Sequence, residues 1–217
     1  VTIDLVIFDC DGVLVDSELI SADVLIGQMR ALGIAMDRDH VRREYLGRSF
    51  PSVAATIRKT FDRDLPEDIE ARYRAALLSR FEAELRPTPG IEDILDRMVC
   101  KTCVATSSSP PRVQNSLRFT GLARYFDANV FTASQVARGK PAPDLFLFAA
   151  AQMDTTPDRV LVIEDSLPGI AAAVAAGMRV LRYAGGGHLH GQFLKHDADV
   201  TCFDTWADFP QNLLRPK

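Results

Sequence analysis

Three short apolar runs constrain this chain more than any other feature: Leu5-Val6-Ile7-Phe8, Cys103-Val104-Ala105 and Val160-Leu161-Val162-Ile163. They are apolar at every position rather than at alternate ones, which suits strands covered on both faces. Each stops abruptly at polar residues: Asp9-Cys10-Asp11-Gly12, Thr106-Ser107-Ser108-Ser109 and Glu164-Asp165-Ser166. Buried strands that all end in polar chemistry predict one shared rim. Helical patterns lie between them. After the turn Thr88-Pro89-Gly90, the residues Ile91, Ile94, Leu95 and Met98 follow amphipathic spacing. Leu145 to Ala151 reads as a well-buried helix, Leu167 to Ala176 as an Ala-rich helix closing at Gly177, and Arg179 to Tyr183 as a further strand. Strand and helix in regular succession imply right-handed crossovers and an α/β, Rossmann-like, doubly wound parallel sheet, with ligands outside the carboxyl ends of the strands.

Residues 17–86 break the alternation. Ala22, Leu25, Ile26, Met29 and Leu32 mark one apolar helical face closing at Gly33, and Pro66 opens a later helix with Ile69, Tyr73, Ala76, Leu77 and Phe81 on its buried side. The expected organisation is an α/β core from 1–16 and 87–217 with an all-helical second domain, 17–86, inserted between hinges near Asp16 and Arg86.

With 217 residues, 47% of them hydrophobic, the chain has enough material for a sizeable core. A net charge of −4 supplies no basic field for nucleic acid or an anionic membrane, and no apolar stretch approaches the roughly 20 residues of a membrane span. Val1-Thr2-Ile3-Asp4 lacks the basic and apolar regions of a signal peptide, and four irregularly spaced cysteines suit a reducing compartment, so a cytoplasmic protein is expected. Cys100-x-x-Cys103 continues into a strand-like run instead of opening a helix, and no second pair completes a zinc site.

Two acidic pairs carry the chemistry. Asp9 and Asp11 follow the first strand and share a side if the chain stays extended, with Gly12 allowing a sharp turn beside them. Neighbouring carboxylates repel, and in isolation such a segment is a solvated turn. Glu164-Asp165 at the end of another buried strand changes the balance, because hard oxygen ligands from two strands suit Mg²⁺. Lys140, between Gly139 and Pro141, offers a point charge to hold a phosphate and shield the carboxylates. Thr106 and Ser107 add hydroxyls and backbone N–H groups of the kind that bind phosphate oxygens.

Taken in order, D-x-D-G-V-L-V-D-S-E at 9–18, Thr106 after a central strand, G-K-P-x-P-D at 139–144 and E-D-S-x-x-G at 164–169 resemble the four motifs of the haloacid dehalogenase superfamily. Within it the chain is most similar to the β-phosphoglucomutase and sugar-phosphatase branch, and the helical insert corresponds to that family's cap. The resemblance implies Asp9 as nucleophile and Asp11 as general acid and base. It implies Mg²⁺ held by Asp9, the Asp11 carbonyl and Asp165 with help from Glu164, and a phosphate gripped by Thr106 and Lys140. A dehalogenase is disfavoured, since that branch lacks a carboxylate at the position of Asp11.

The resemblance also directs the cap loop Leu46-Gly47-Arg48-Ser49 toward the site, making Arg48 and Ser49 candidates for the non-reacting part of the substrate. Arg72 and Arg74 are weaker candidates, and a solvated face is the competing reading for all of these arginines. Ser21 stands where β-phosphoglucomutase carries a histidine that gates its acid–base step. The expectation is therefore hydrolysis of a small phosphorylated metabolite by a monomer or weak homodimer, with a sugar-phosphate mutase and a non-catalytic binding protein as alternatives. His188 and His190 in the Gly-rich loop are expected to be solvated, and Trp206 to close the core.

Overall fold

A computed structural model describes residues 2–45, 48–189 and 200–215. Among the described residues six parallel strands form one sheet in the order β3-β2-β1-β4-β5-β6: β1 (Leu5–Phe8), β2 (Lys101–Thr106), β3 (Val130–Thr132), β4 (Val160–Glu164), β5 (Arg179–Tyr183) and β6 (Cys202–Phe203). All three apolar runs are thus strands, and they are the three central ones. In β1, Leu5 and Ile7 face one way and pack with helices α7 (Asp144–Gln152) and α8 (Leu167–Ala175) through Leu145, Phe146, Ala149, Ala172 and Ala173. Val6 and Phe8 face the other way, against Ile94 of α5 (Ile91–Arg97), Val113 of α6 (Pro110–Phe119) and Trp206. Both faces are dry, which is why the strands carry no polar alternation.

Among the described residues four helices precede α5: α1 (Glu18–Ala31), α2 (Arg38–Tyr45), α3 (Phe50–Phe61) and α4 (Ile69–Glu84). Ala22, Leu25 and Met29 of α1 and Tyr73, Leu77 and Phe81 of α4 are buried on the expected faces. The chain enters and leaves this block side by side, with Asp16 N–H donating to the Arg86 carbonyl (3.1 Å) and Thr88 N–H to that of Leu14 (2.9 Å). Pro66 lies in the turn before α4, whose helix starts at Ile69, and α5 stops one residue short of Met98, which bridges to Leu214 instead.

Trp206 does close the core: it is 2% exposed, stacks on Tyr183 at 4.6 Å between centroids and donates its indole N–H to Thr88 Oγ1 at 2.9 Å. Cys100 and Cys103 are free thiols, Cys103 buried within β2. Among the described residues no helix is long and apolar enough to cross a membrane.

Candidate active site

The sheet register brings Asp9 level with Glu164 at the carboxyl rim, with Thr106 one residue further along β2, because Phe8 pairs with both Val104 and Ile163 and Asp9 N–H donates to the Ile163 carbonyl at 3.0 Å. Above this rim, between the core and helices α1–α4, lies a cavity of about 710 Å³ lined by Asp9, Asp11, Thr106, Ser107, Lys140 and Asp165 among others.

Its floor is a buried charge cluster. Lys140, its side chain 3% exposed, donates to Asp9 Oδ1 (2.6 Å), Glu164 Oε1 (2.7 Å) and the Ala105 carbonyl (3.0 Å), matching all three ammonium protons. Burial disfavours its charge, but Asp9 and Glu164 outweigh that and hold its pKa above the ordinary lysine value. Burial pushes the Asp9 carboxyl well above the usual range, with Lys140 pulling it down and Glu164 and Asp165 pushing it further up. Asp165 is raised for the same reasons, burial first and Glu164 second.

Ligand oxygens of Asp9, Glu164 and Asp165 all lie within 4.8 Å of one another. Three buried carboxylates around one ammonium leave an excess of negative charge, and their hard oxygen donors fit a divalent cation such as Mg²⁺. The donor set therefore suits a metal.

The wall is built around Asp11, where the chain does not stay extended although Asp9 and Asp11 line the same cavity. The backbone turns back at Cys10, whose carbonyl accepts from Leu14 N–H (3.0 Å) and Val15 N–H (3.1 Å), so the two aspartates take different partners. Asp11 Oδ1 accepts from Ser17 Oγ (2.5 Å) and Arg112 Nη2 (2.7 Å), and Oδ2 from Ser108 Oγ (2.5 Å). Burial alone would raise this carboxyl. The Arg112 charge and the hydrogen bonds from Ser108, Ser17 and Arg112 outweigh it and hold Asp11 below the usual range.

Arg112, Ser108 and Glu18 are the site residues that sequence reasoning missed. Arg112 sits near the start of α6, which opens on two prolines, and reaches past Asp11 to Ser21 Oγ (3.1 Å) while its guanidinium covers the Phe81 ring at 5.3 Å. The signal was present as Ser-Pro-Pro-Arg after the second strand, a helix start placing a cation one turn past the rim. Glu18, at the start of α1, has a carboxyl pushed up to about 7 by burial and then by the Asp11 charge.

Thr106 Oγ1 accepts from Ser108 N–H at 3.1 Å, and Ser107 lines the cavity beside it. Arg48 and Ser49 line the opposite side of the cavity and are exposed, while Leu46 and Gly47 lie outside the described residues. Arg74 also lines the cavity and donates to Ser109 Oγ at 2.6 Å, tying α4 to the core. Arg72 instead pairs with Asp68 at 2.7 Å with its side chain 61% exposed, a solvated face. His188 contradicts its expectation: it is buried, on a 3-10 turn (Gly187–Leu189), and His190 lies outside the described residues.

Residues 3–177 match the haloacid dehalogenase-like hydrolase family. The chain belongs to this family. A 6-phosphogluconate phosphatase of Escherichia coli (strain K12) is 27% identical over 210 residues, covering 96% of this chain and 94% of that protein. Protein CbbY of Cereibacter sphaeroides is 30% identical over 215 residues, covering 93% of each. A haloacid dehalogenase-family hydrolase of Deinococcus radiodurans R1, solved with bound phosphate and sodium, superposes with a TM-score of 0.78 at 29% identity, covering 99% of each chain. As a haloacid dehalogenase-like hydrolase with phosphatases among its relatives, the protein is an enzyme of the phosphoric monoester hydrolase class.

Proposed function

We propose that this enzyme is a Mg²⁺-dependent phosphatase that hydrolyses a small phosphorylated metabolite, a sugar phosphate or a similar compound, through a phospho-aspartate on Asp9. The observation that carries this reading is the convergence of Asp9, Glu164 and Asp165 within 4.8 Å at the floor of the cavity, with Lys140 bonded to two of them. The 6-phosphogluconate phosphatase relative and the phosphate bound in the Deinococcus structure agree with it.

When bound by Asp9, Asp165, Glu164 and the Asp11 carbonyl, Mg²⁺ would neutralise charge on the phosphoryl oxygens. Asp9 attacks phosphorus, an Asp9 oxygen–phosphorus bond forms, and the ester oxygen leaves with a proton from Asp11. Water then attacks phosphorus and gives a proton to Asp11, the Asp9–phosphorus linkage breaks, and phosphate departs. Lys140 keeps Asp9 oriented and partly neutralised, while Thr106 and Ser107 offer hydroxyl and N–H groups to the phosphoryl oxygens.

The resting contacts of Asp11 suit the second half of this cycle, since Arg112 holds it ionised and ready to accept a proton. Donation requires Asp11 to loosen that contact when substrate arrives. Residues 17–86 act as the cap in this scheme, excluding bulk water and presenting Arg48, Ser49 and Arg74 to the non-reacting part of the substrate. Ser21, in place of a gating histidine, donates to the Ser17 carbonyl (2.9 Å) and accepts from Arg112, which favours hydrolysis over mutase chemistry.

Phosphate release from p-nitrophenyl phosphate, then from sugar phosphates, sugar acid phosphates and polyol phosphates, tests the proposal. Release with Mg²⁺ and none without it is expected; no release by fresh enzyme with Mg²⁺ would sink it. Formation of glucose 6-phosphate from β-glucose 1-phosphate and a bisphosphate primer, without free phosphate, would make the enzyme a mutase.

A further inference from the structure

The geometry points to His188 as a positioning residue for the cation site, one that sets the rotation of Asp165 from behind. Its imidazole Nε2 lies 2.9 Å from Asp165 Oδ2, and both side chains are 4% exposed. The ring is sealed in a slot made by three separate segments. A Cβ at Gly12 would stand 2.8 Å from His188 Cε1, and one at Gly186 would stand 2.7 Å from the same atom, so both flanking positions need glycine for the ring to fit. The loop is pinned as well: Leu189 N–H donates to the Gly186 carbonyl (2.9 Å) and Gly187 N–H to Asp16 Oδ1 (3.1 Å).

Burying an imidazole costs free energy unless its nitrogens find partners, and among the described residues neither ring nitrogen has an aligned hydrogen bond. The nearby acceptor is Asp165 Oδ2, off the N–H axis but in contact. A modest turn of the carboxylate completes that bond and leaves its other oxygen to the cation. His188 is not a fourth ligand, because among the described residues only Asp9, Glu164 and Asp165 gather within 4.8 Å. It acts one layer out, as groups that orient metal-binding carboxylates do.

This inference rests on the cation site of the proposed function, and Mg²⁺ binding by the wild-type chain separates the two. Titration calorimetry with MgCl₂ alone, on enzyme stripped with EDTA, is compared for wild type, His188→Leu and His188→Gln, with melting temperatures in EDTA as the control for packing. Leucine fills the slot without a donor, whereas the glutamine amide keeps one near Nε2. His188→Leu is expected to bind Mg²⁺ about 10- to 100-fold more weakly, with His188→Gln recovering most of the loss. Wild-type affinity in His188→Leu, or equal weakening in both variants, would overturn the positioning role. If the leucine variant does not fold, His188→Asn, whose amide stops short of Asp165, replaces it under the same criteria. Failure of the wild type to bind Mg²⁺ at all would remove the cation site itself.

Discussion

Asp9 and Asp11 are two residues apart, yet the floor and the wall of the cavity treat them oppositely. On the floor, three carboxylates share one ammonium, and burial drives Asp9 and Asp165 toward their neutral forms. On the wall, Asp11 has Arg112 and two serine hydroxyls, which hold it ionised despite its burial. The floor is short of positive charge and suits a divalent cation, while the wall is already balanced. Identical side chains on one loop thus have their proton affinities moved in opposite directions by their surroundings, the kind of divergence that suits separate tasks.

Removing the proposed nucleophile breaks the contrast most severely. Asp9→Asn should lower kcat for p-nitrophenyl phosphate by about 10⁴- to 10⁶-fold, and the melting-temperature rise expected of the wild type with Mg²⁺ should shrink. Asp11→Asn, on the wall, should cost about 10²- to 10⁴-fold in kcat while keeping the Mg²⁺-induced rise. If both variants lost that rise equally, floor and wall would not be separate.

Arg112→Met sharpens the wall alone. A hydrogen bond to a charged group is worth about 1.5–3 kcal/mol, so kcat should fall roughly 10- to 100-fold. In the proposed cycle Asp11 must be ionised to accept a proton from water, so activity should be lost as pH falls through its pKa. Without Arg112 that pKa rises, so the acidic limb of the pH–rate profile should move to higher pH; an unmoved limb would show that Arg112 does not control Asp11.

The smallest expected effect is at Glu18, whose carboxyl titrates near 7 in the fold against 4.5 in its ordinary state. Because the folded form binds its proton more tightly, stability falls as pH rises from about 4.5 to 7 and stays lowered above that. Glu18→Gln should therefore melt a few degrees higher than wild type at pH 8, with the gap closing toward pH 4. A gap independent of pH would place the cause elsewhere.

The floor was largely legible in the sequence because each of its members sits at the end of a strand or in a turn that the apolar pattern marks. Phe8 stops at Asp9, Ile163 stops at Glu164 and Asp165, and parallel pairing with β1 brings these ends to one level. The wall was less legible. Arg112 belongs to α6, whose helical face the sequence reading did not single out, and its partner Asp11 is reached only because the chain folds back at Cys10. Ser21 and Phe81 come from the helical insert and meet Arg112 across the cavity.

His188 shows the limit most clearly. Three consecutive glycines before a histidine read as a solvated loop, and that local reading is sound for an isolated segment. Only the packed chain reveals that Gly12 and Gly186 leave room for the ring and that Asp165 stands in contact with it. Apolar periodicity and strand-end motifs, which are local, were enough for β1, β2, β4 and β5 and for the acidic rim, but not for the short edge strands β3 and β6. The partner of each carboxylate, and hence the direction in which its proton affinity moves, depends on side chains far away in sequence, 131 positions between Asp9 and Lys140. Desolvation and charge pairing act through space, and one-dimensional spacing does not encode them.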